Sequence, residues 1–279
     1  MTAIIIPRRH LAQPQGRGYV DWDSPLVRAA KIFAVVSPSG GLFTQSGVEP
    51  LITLNAGIVT PYSGGLAYGG SGGASDGFRT ESNFDALSGL TALSTYIEGD
   101  IASNASSPIG RWGAAYQWGG FVTAIESGQF AWVLAQVGDS GFWRGRRTAT
   151  WVPGFSRLGM SWVGGGDITP YVDGVRSVGG LWFGGSPASI QNVSAPLFVA
   201  RHGDDGSGGG ASIGIAIFGA AAWDDSLHNE IAATPYQIFR ADPIRIYSFP
   251  SGPILPTLSG LTTSHITSSG ARHSLTLTY

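Results

Sequence analysis

The groups that could do nucleophilic chemistry stand in two glycine-rich runs. Gly138-Asp139-Ser140-Gly141 has the form of a serine-protease nucleophile turn, and Gly69-Gly70-Ser71-Gly72-Gly73 fits Gly-x-Ser-x-Gly. A serine nucleophile needs a histidine base and an acid that orients it. His10 alone lies upstream of Ser140, close to the N-terminus. An elbow of the second kind needs a strand before the serine and a helix after it. Here Ala74-Ser75-Asp76-Gly77 continues the loop. Both runs therefore read as loops in a chain that has 43 glycines. Glycosidases built on a β-sheet use two neighbouring carboxylates. Glu49, Glu81, Glu98, Glu126 and Glu230 are isolated from one another, so no acid/base pair is available. The sequence predicts no enzyme and no organic cofactor.

Binding chemistry has better candidates. Asp204 and Asp205 sit in the loop Arg201-His202-Gly203-Asp204-Asp205-Gly206-Ser207. Carboxylate and carbonyl oxygens suit Ca²⁺, although adjacent side chains tend to diverge, and a solvated loop is the alternative. Trp112, Tyr116, Trp118, Trp143 and Trp151 could stack on sugar rings or could fill a core. The spacing of Trp112, Tyr116 and Trp118 is compatible with one strand face. Arg144, Arg146 and Arg147 form the densest basic run, too short to argue for a phosphate-binding face. Net charge is −2, so no nucleic-acid partner is expected.

These groups must be held by short β elements. Gly-rich breaks alternate with runs rich in Val, Ile, Thr, Phe, Tyr and Trp, the pattern of a sandwich or barrel. Strands are predicted at 30–36, 121–125, 130–137, 156–163, 168–172, 196–200 and 213–223. Glu126-Ser127-Gly128-Gln129 and Asp173-Gly174 are predicted hairpin connections. One helix is predicted, at 226–233, with Asp225 or Ser226 as its cap and Thr234-Pro235 as its stop. Hydrophobic residues make up 43% of the 279, enough for a sizeable core. Charged residues make up only 12%, about half the usual share. Such a surface suits a subunit whose faces are covered by further copies of itself.

The segment 157–178, with Tyr171-Val172-Asp173-Gly174-Val175, resembles the central hairpin of laminin-G-like, concanavalin-type jelly rolls. The segment 196–240 resembles the closing elements of that family. Its ending, Thr234-Pro235-Tyr236-Gln237-Ile238-Phe239, is similar to the Asn-Pro-Trp-Gln-hydrophobic-Phe close of such domains in bacteriophages and prophages, with Thr and Tyr in place of Asn and Trp. The opening, Ile6-Pro7-Arg8-Arg9-His10-Leu11 through Asp21-Trp22, resembles the start of phage virion proteins. The resemblance implies an all-β, two-sheet antiparallel jelly-roll sandwich, concanavalin A-like, with one short helix and extended terminal arms. It also implies a structural subunit of a virion tail, baseplate or capsid decoration, sometimes able to bind carbohydrate.

The expected organisation is an arm at 1–19, a jelly roll at 20–249, and a proline linker with a β-hairpin at 250–279. Ile4, Ile5 and Ile6 are too few for a secretory leader. Together with Arg8 and Arg9 they form a candidate docking arm. Leu275, Leu277 and Tyr279 alternate with polar residues and form a second candidate. No apolar run reaches the ~20 residues that span a bilayer. Two functions from different classes follow: a phage virion subunit that docks through its arms on other virion proteins and on itself, or a carbohydrate-binding, receptor-binding lectin-like module that takes a host-surface glycan. The first expects synthesis in a bacterial cytoplasm and residence in the virion.

Overall fold

The computed structural model describes residues 2–6, 12–14, 18–70, 76–102, 108–112, 118–126, 128–135, 143–148, 151–185, 187–191, 194–201, 211–240 and 244–248. The chain divides into a large unit, residues 9–241, and a small one, residues 1–8 with 242–279. In the small unit Thr2–Ile6 pairs antiparallel with Ile244–Ser248, Ile4 opposite Ile246. The triple isoleucine is thus a strand paired within its own chain, and strand Ile244–Ser248 belongs with it. Arg8, Arg9, Leu275, Leu277 and Tyr279 lie outside the described residues.

The large unit is an all-β sandwich of two antiparallel sheets. Among the described residues, the larger sheet runs in the order Val175–Arg176, Thr169–Val172, Gly154–Val163, Ala92–Ile101, Ala211–Gly219, Ile32–Ser37, Gly41–Thr44 and Gly47–Glu49. Gly65–Gly70 also pairs with Ala211–Gly219, and Gly57–Tyr62 pairs with Gly65–Gly70. The smaller sheet runs Leu181–Gly184, Trp143–Arg147, Gln129–Ala135, Trp118–Glu126, Ile109–Trp112, Leu197–Val199, Gly77–Arg79 and Ile52–Leu54. Leu93, Ile97, Leu158 and Met160 meet Phe121, Phe130, Trp132 and Leu134 between the sheets.

The larger sheet is covered on its other face too. Val35, Tyr96, Ile215 and Ile217 pack there under Val27, Trp223, Ile231, Tyr236 and Phe239. A strand buried on both faces loses the polar positions that would break its apolar run. That is why Ile213, Ile215, Ile217 and Phe218 stand so close together, all fully buried.

The predicted strands appear with small shifts in their ends. Lys31 has φ 47°, which ends a short helix, Pro25–Ala29, just before strand Ile32–Ser37. That helix was not expected from the sequence. The longer helix, Asp225–Ala233, is capped by Asp224, whose carboxylate accepts from Leu227 N at 2.8 Å. The cap falls one residue before the predicted pair because Asp224 keeps extended backbone, as a cap must. Asp173 and Gly174 both have positive φ, 52° and 78°, and Val172 faces Val175 across them. This is the primed turn that matches the twist of a two-residue hairpin.

Candidate functional site

The strand Gly154–Val163 places Phe155, Arg157, Gly159 and Ser161 on the helix-covered face of the larger sheet, opposite Asp100, Glu98, Tyr96 and Ser94 of Ala92–Ile101. Alternation puts Leu158 and Met160 in the core on the other side. Two polar networks result.

The first surrounds Glu98, which is buried. Tyr62 donates to its Oε1 at 2.7 Å and Tyr96 to its Oε2 at 2.9 Å. Arg157 Nε donates to Oε2 at 3.1 Å, and the Tyr236 hydroxyl lies 2.7 Å from that of Tyr62. A carboxylate accepts only, so all these donors are of the required kind. Burial, and then the neighbouring carboxylate and hydroxyls, push the phenol pKa values of Tyr62 and Tyr96 well up, so these rings remain neutral donors. Gly214 makes room for the arrangement. A Cβ there would lie 2.0 Å from the Tyr62 hydroxyl, and the register with Ala92–Ile101 shifts between Ile213 and Ile215. The bulge and the missing side chain together admit Tyr62 to the carboxylate.

The second network joins Ser94, Ser161 and His228. The two hydroxyls are 2.7 Å apart, and Ser161 Oγ is 2.9 Å from His228 Nε2. A serine beside a histidine is the beginning of a nucleophilic pair. Here both serines donate to backbone, Ser94 to Ala221 O and Ser161 to Trp223 O, each at 2.8 Å. Asp225, an acid on the same helix, is committed to Tyr171 at 2.8 Å and Arg176 at 2.9 Å. Burial pushes the His228 pKa down to about 3, which leaves a neutral ring. The cluster fastens helix Asp225–Ala233 to the sheet.

At the end of the sheet, where the chain enters Gly154–Val163, Trp151, Val152, Phe155, Ser156, Val172 and Asp173 line a cleft of about 200 Å³. Trp151 packs against Phe130 of the core, ring centroids 6.3 Å apart. Its Nε1 donates to Ser156 Oγ at 3.1 Å, and Ser156 in turn donates to Gly154 O at 3.0 Å. The indole is therefore held in one orientation. Phe155 is 40% and Val152 78% exposed. Phe155 also meets the Glu98 network: Arg157 Cζ lies 5.2 Å from its ring centroid and the Tyr62 ring 6.1 Å away. The cleft thus combines fixed aromatic and apolar faces with a carboxylate. A larger groove, about 430 Å³, is lined by Gln13, Pro14, Pro38, Ser39, Gly40, Val48, Pro50 and Leu66. Among the described residues its lining is neither aromatic nor charged, and the Gln13 amide is committed to Leu66 O at 2.9 Å.

The sequence-predicted site residues fare differently. Trp112 and Trp118 do not share a strand: the first ends Ile109–Trp112, the second begins Trp118–Glu126, and they are cross-strand partners beside a register shift. The chain reverses between them, so the even spacing in sequence spans two neighbouring strands and not one. Tyr116, Asp204 and Asp205 lie outside the described residues. Among the described residues, no group of three or more His, Asp and Glu could hold a metal ion. Arg146 forks onto Asp167, with Nε 3.0 Å from Oδ1, so the basic run contributes an ion pair. Phe155, Asp173 and Glu98 were not singled out as site residues from the sequence. The signal for Glu98 is the alternation Ser94-x-Tyr96-x-Glu98 on one strand face.

No family model matches this chain. No curated protein matches it in sequence either. Solved structures do match in fold. One is a botulinum neurotoxin type C structure, described by a cell entry dependent upon interaction with two ganglioside molecules: TM-score 0.55 and 14% identity, over 74% of this chain and 51% of that one. Another is the binding domain of botulinum neurotoxin DC in complex with SialylT, at TM-score 0.53 and 13% identity, over 74% and 52%. A third is the binding domain of Paraclostridial Mosquitocidal Protein 1, at TM-score 0.53 and 10% identity, over 72% and 52%. At these identities the match shows the jelly-roll sandwich alone. The chain spans about half the length of each of these structures.

Proposed function

We propose that this chain is a lectin-like recognition module that binds carbohydrate at the cleft between Trp151 and Asp173. The observation that carries the reading is the cleft itself. Trp151 is locked through Ser156, Phe155 stands beside it half-exposed, and Asp173 supplies an acceptor at the rim. Sugars present apolar C–H faces and a fringe of hydroxyl donors. A fixed ring takes the first and a carboxylate the second. Pre-ordering of the indole reduces the entropy cost of binding. Neighbours in fold that bind gangliosides or SialylT lend support at the level of the scaffold. The test is a glycan array probed with the purified chain and with Trp151→Ala: the reading expects glycan signals that the substitution removes.

The virion reading is compatible with this one as a proposal about display. It is supported by the resemblance at residues 5–25 and 234–239 and by the charge-poor surface. A tail or decoration subunit carrying such a cleft would present it to a host surface. Particles assembled with and without residues 251–279 test it: loss of incorporation supports docking by that segment, and full incorporation counts against it.

A further inference from the structure

Resting on the recognition proposed above, we infer that the cleft takes an uncharged sugar ring and discriminates against acidic ones such as sialic acid. Asp173 is the charged group among the described lining residues. Arg157, a cation beside Phe155, carries Glu98 on its Nε and lays its guanidinium over the Phe155 ring. Asp100 is the cross-strand partner of Phe155. Glu98 and Arg157 pair with each other, so the acidic character of the cleft rests on Asp173, with Asp100 on the neighbouring strand. A neutral sugar brings hydroxyl donors to Asp173. A sugar carboxylate brings acceptors only, and meets like charge. Two carboxylates about 6 Å apart at a fully hydrated rim repel enough to cost roughly threefold in affinity, and more where the local dielectric is lower. The volume, about 200 Å³, lies below the ~300–1,000 Å³ of pockets for drug-sized ligands and suits a single ring.

The test is isothermal titration of the full chain with a galactose-terminated oligosaccharide and with the same oligosaccharide capped by sialic acid, at roughly 20 mM and 300 mM salt. Asp173→Asn is run alongside. Asparagine tolerates the left-handed φ of 52° at this position, so the turn is kept while the charge is removed. The expected result is a neutral glycan bound at least about threefold more tightly at low salt. That preference shrinks at high salt and shrinks in Asp173→Asn. Equal or tighter binding of the sialylated glycan overturns the inference and leaves the recognition reading standing. A preference untouched by Asp173→Asn also overturns it, since the discrimination would then arise elsewhere. Binding of neither glycan, nor of any on an array, removes the recognition reading and the inference with it.

Discussion

The imidazole of His228 lies flat on the phenol ring of Tyr171, with ring centroids 3.6 Å apart and planes within 18°. The contact joins helix Asp225–Ala233 to the hairpin that carries Asp173, because Tyr171 stands two residues before the turn. The wall of the cleft and the helix over the sheet are therefore mechanically connected. His228 holds that position as a neutral ring, hydrogen-bonded to Ser161 at 2.9 Å.

The buried histidine predicts a pH dependence. Its folded pKa, about 3, is below the unfolded value of 6.5, and burial is the cause. Between those values the unfolded chain binds more protons than the folded one. Stability is therefore full above pH 6.5 and falls as pH drops below it. With one proton involved, the slope is about 1.4 kcal/mol per pH unit. Urea denaturation at pH 6.5 and 5.0 should show a loss of about 2 kcal/mol, and His228→Gln should remove most of that difference.

The Glu98 cluster predicts a graded series. Removing the acceptor in Glu98→Ala strands the buried Tyr96 hydroxyl, leaves Tyr62 with Tyr236 alone, and should cost about 2–3 kcal/mol. Tyr62→Phe removes one donor and should cost about 1 kcal/mol. Gly214→Ala drives a methyl group into the Tyr62 hydroxyl and should cost about 1–3 kcal/mol. In a double-mutant cycle, Gly214→Ala should cost less once Tyr62 is alanine. Independent, additive effects would separate Gly214 from this role.

The Asp173-Gly174 turn predicts sensitivity at one position. A Cβ on Gly174 would stand 2.8 Å from Asn229 Cα and 2.9 Å from Ala232 Cβ, in addition to the positive φ. Gly174→Ala should lower stability by about 1–3 kcal/mol in thermal or urea unfolding. It should also weaken glycan binding through the displaced Asp173. Gly165→Ala, at φ 75° with open space around it, should cost only the backbone strain of about 1 kcal/mol.

Parts of this architecture are legible in the sequence, for local reasons. Asp173-Gly174 between apolar runs specifies its turn through backbone φ, and Thr234-Pro235 stops a helix by sterics. The helix Pro25–Ala29 escapes because five residues give too little periodicity to read. The site escapes for a different reason. Glu98 and Arg157 are 59 positions apart, and Tyr62 and Tyr236 are 174 apart. Strand register brings them together, and register is a property of the assembled sheet. Trp112 and Trp118 show the converse: an even spacing that crosses a chain reversal places its residues on different strands.

The most direct measurement is titration of the full chain with a neutral oligosaccharide selected on the array, comparing Phe155→Ala with Val178→Ala. Both side chains are exposed, 40% and 85%, so neither change should disturb folding, which circular dichroism can verify. The account predicts that Phe155→Ala weakens binding about three- to tenfold, the usual worth of one aromatic contact. Val178→Ala should bind like the unaltered protein. Unchanged binding by Phe155→Ala, with Trp151→Ala equally unaffected, would contradict the assignment of recognition to this cleft.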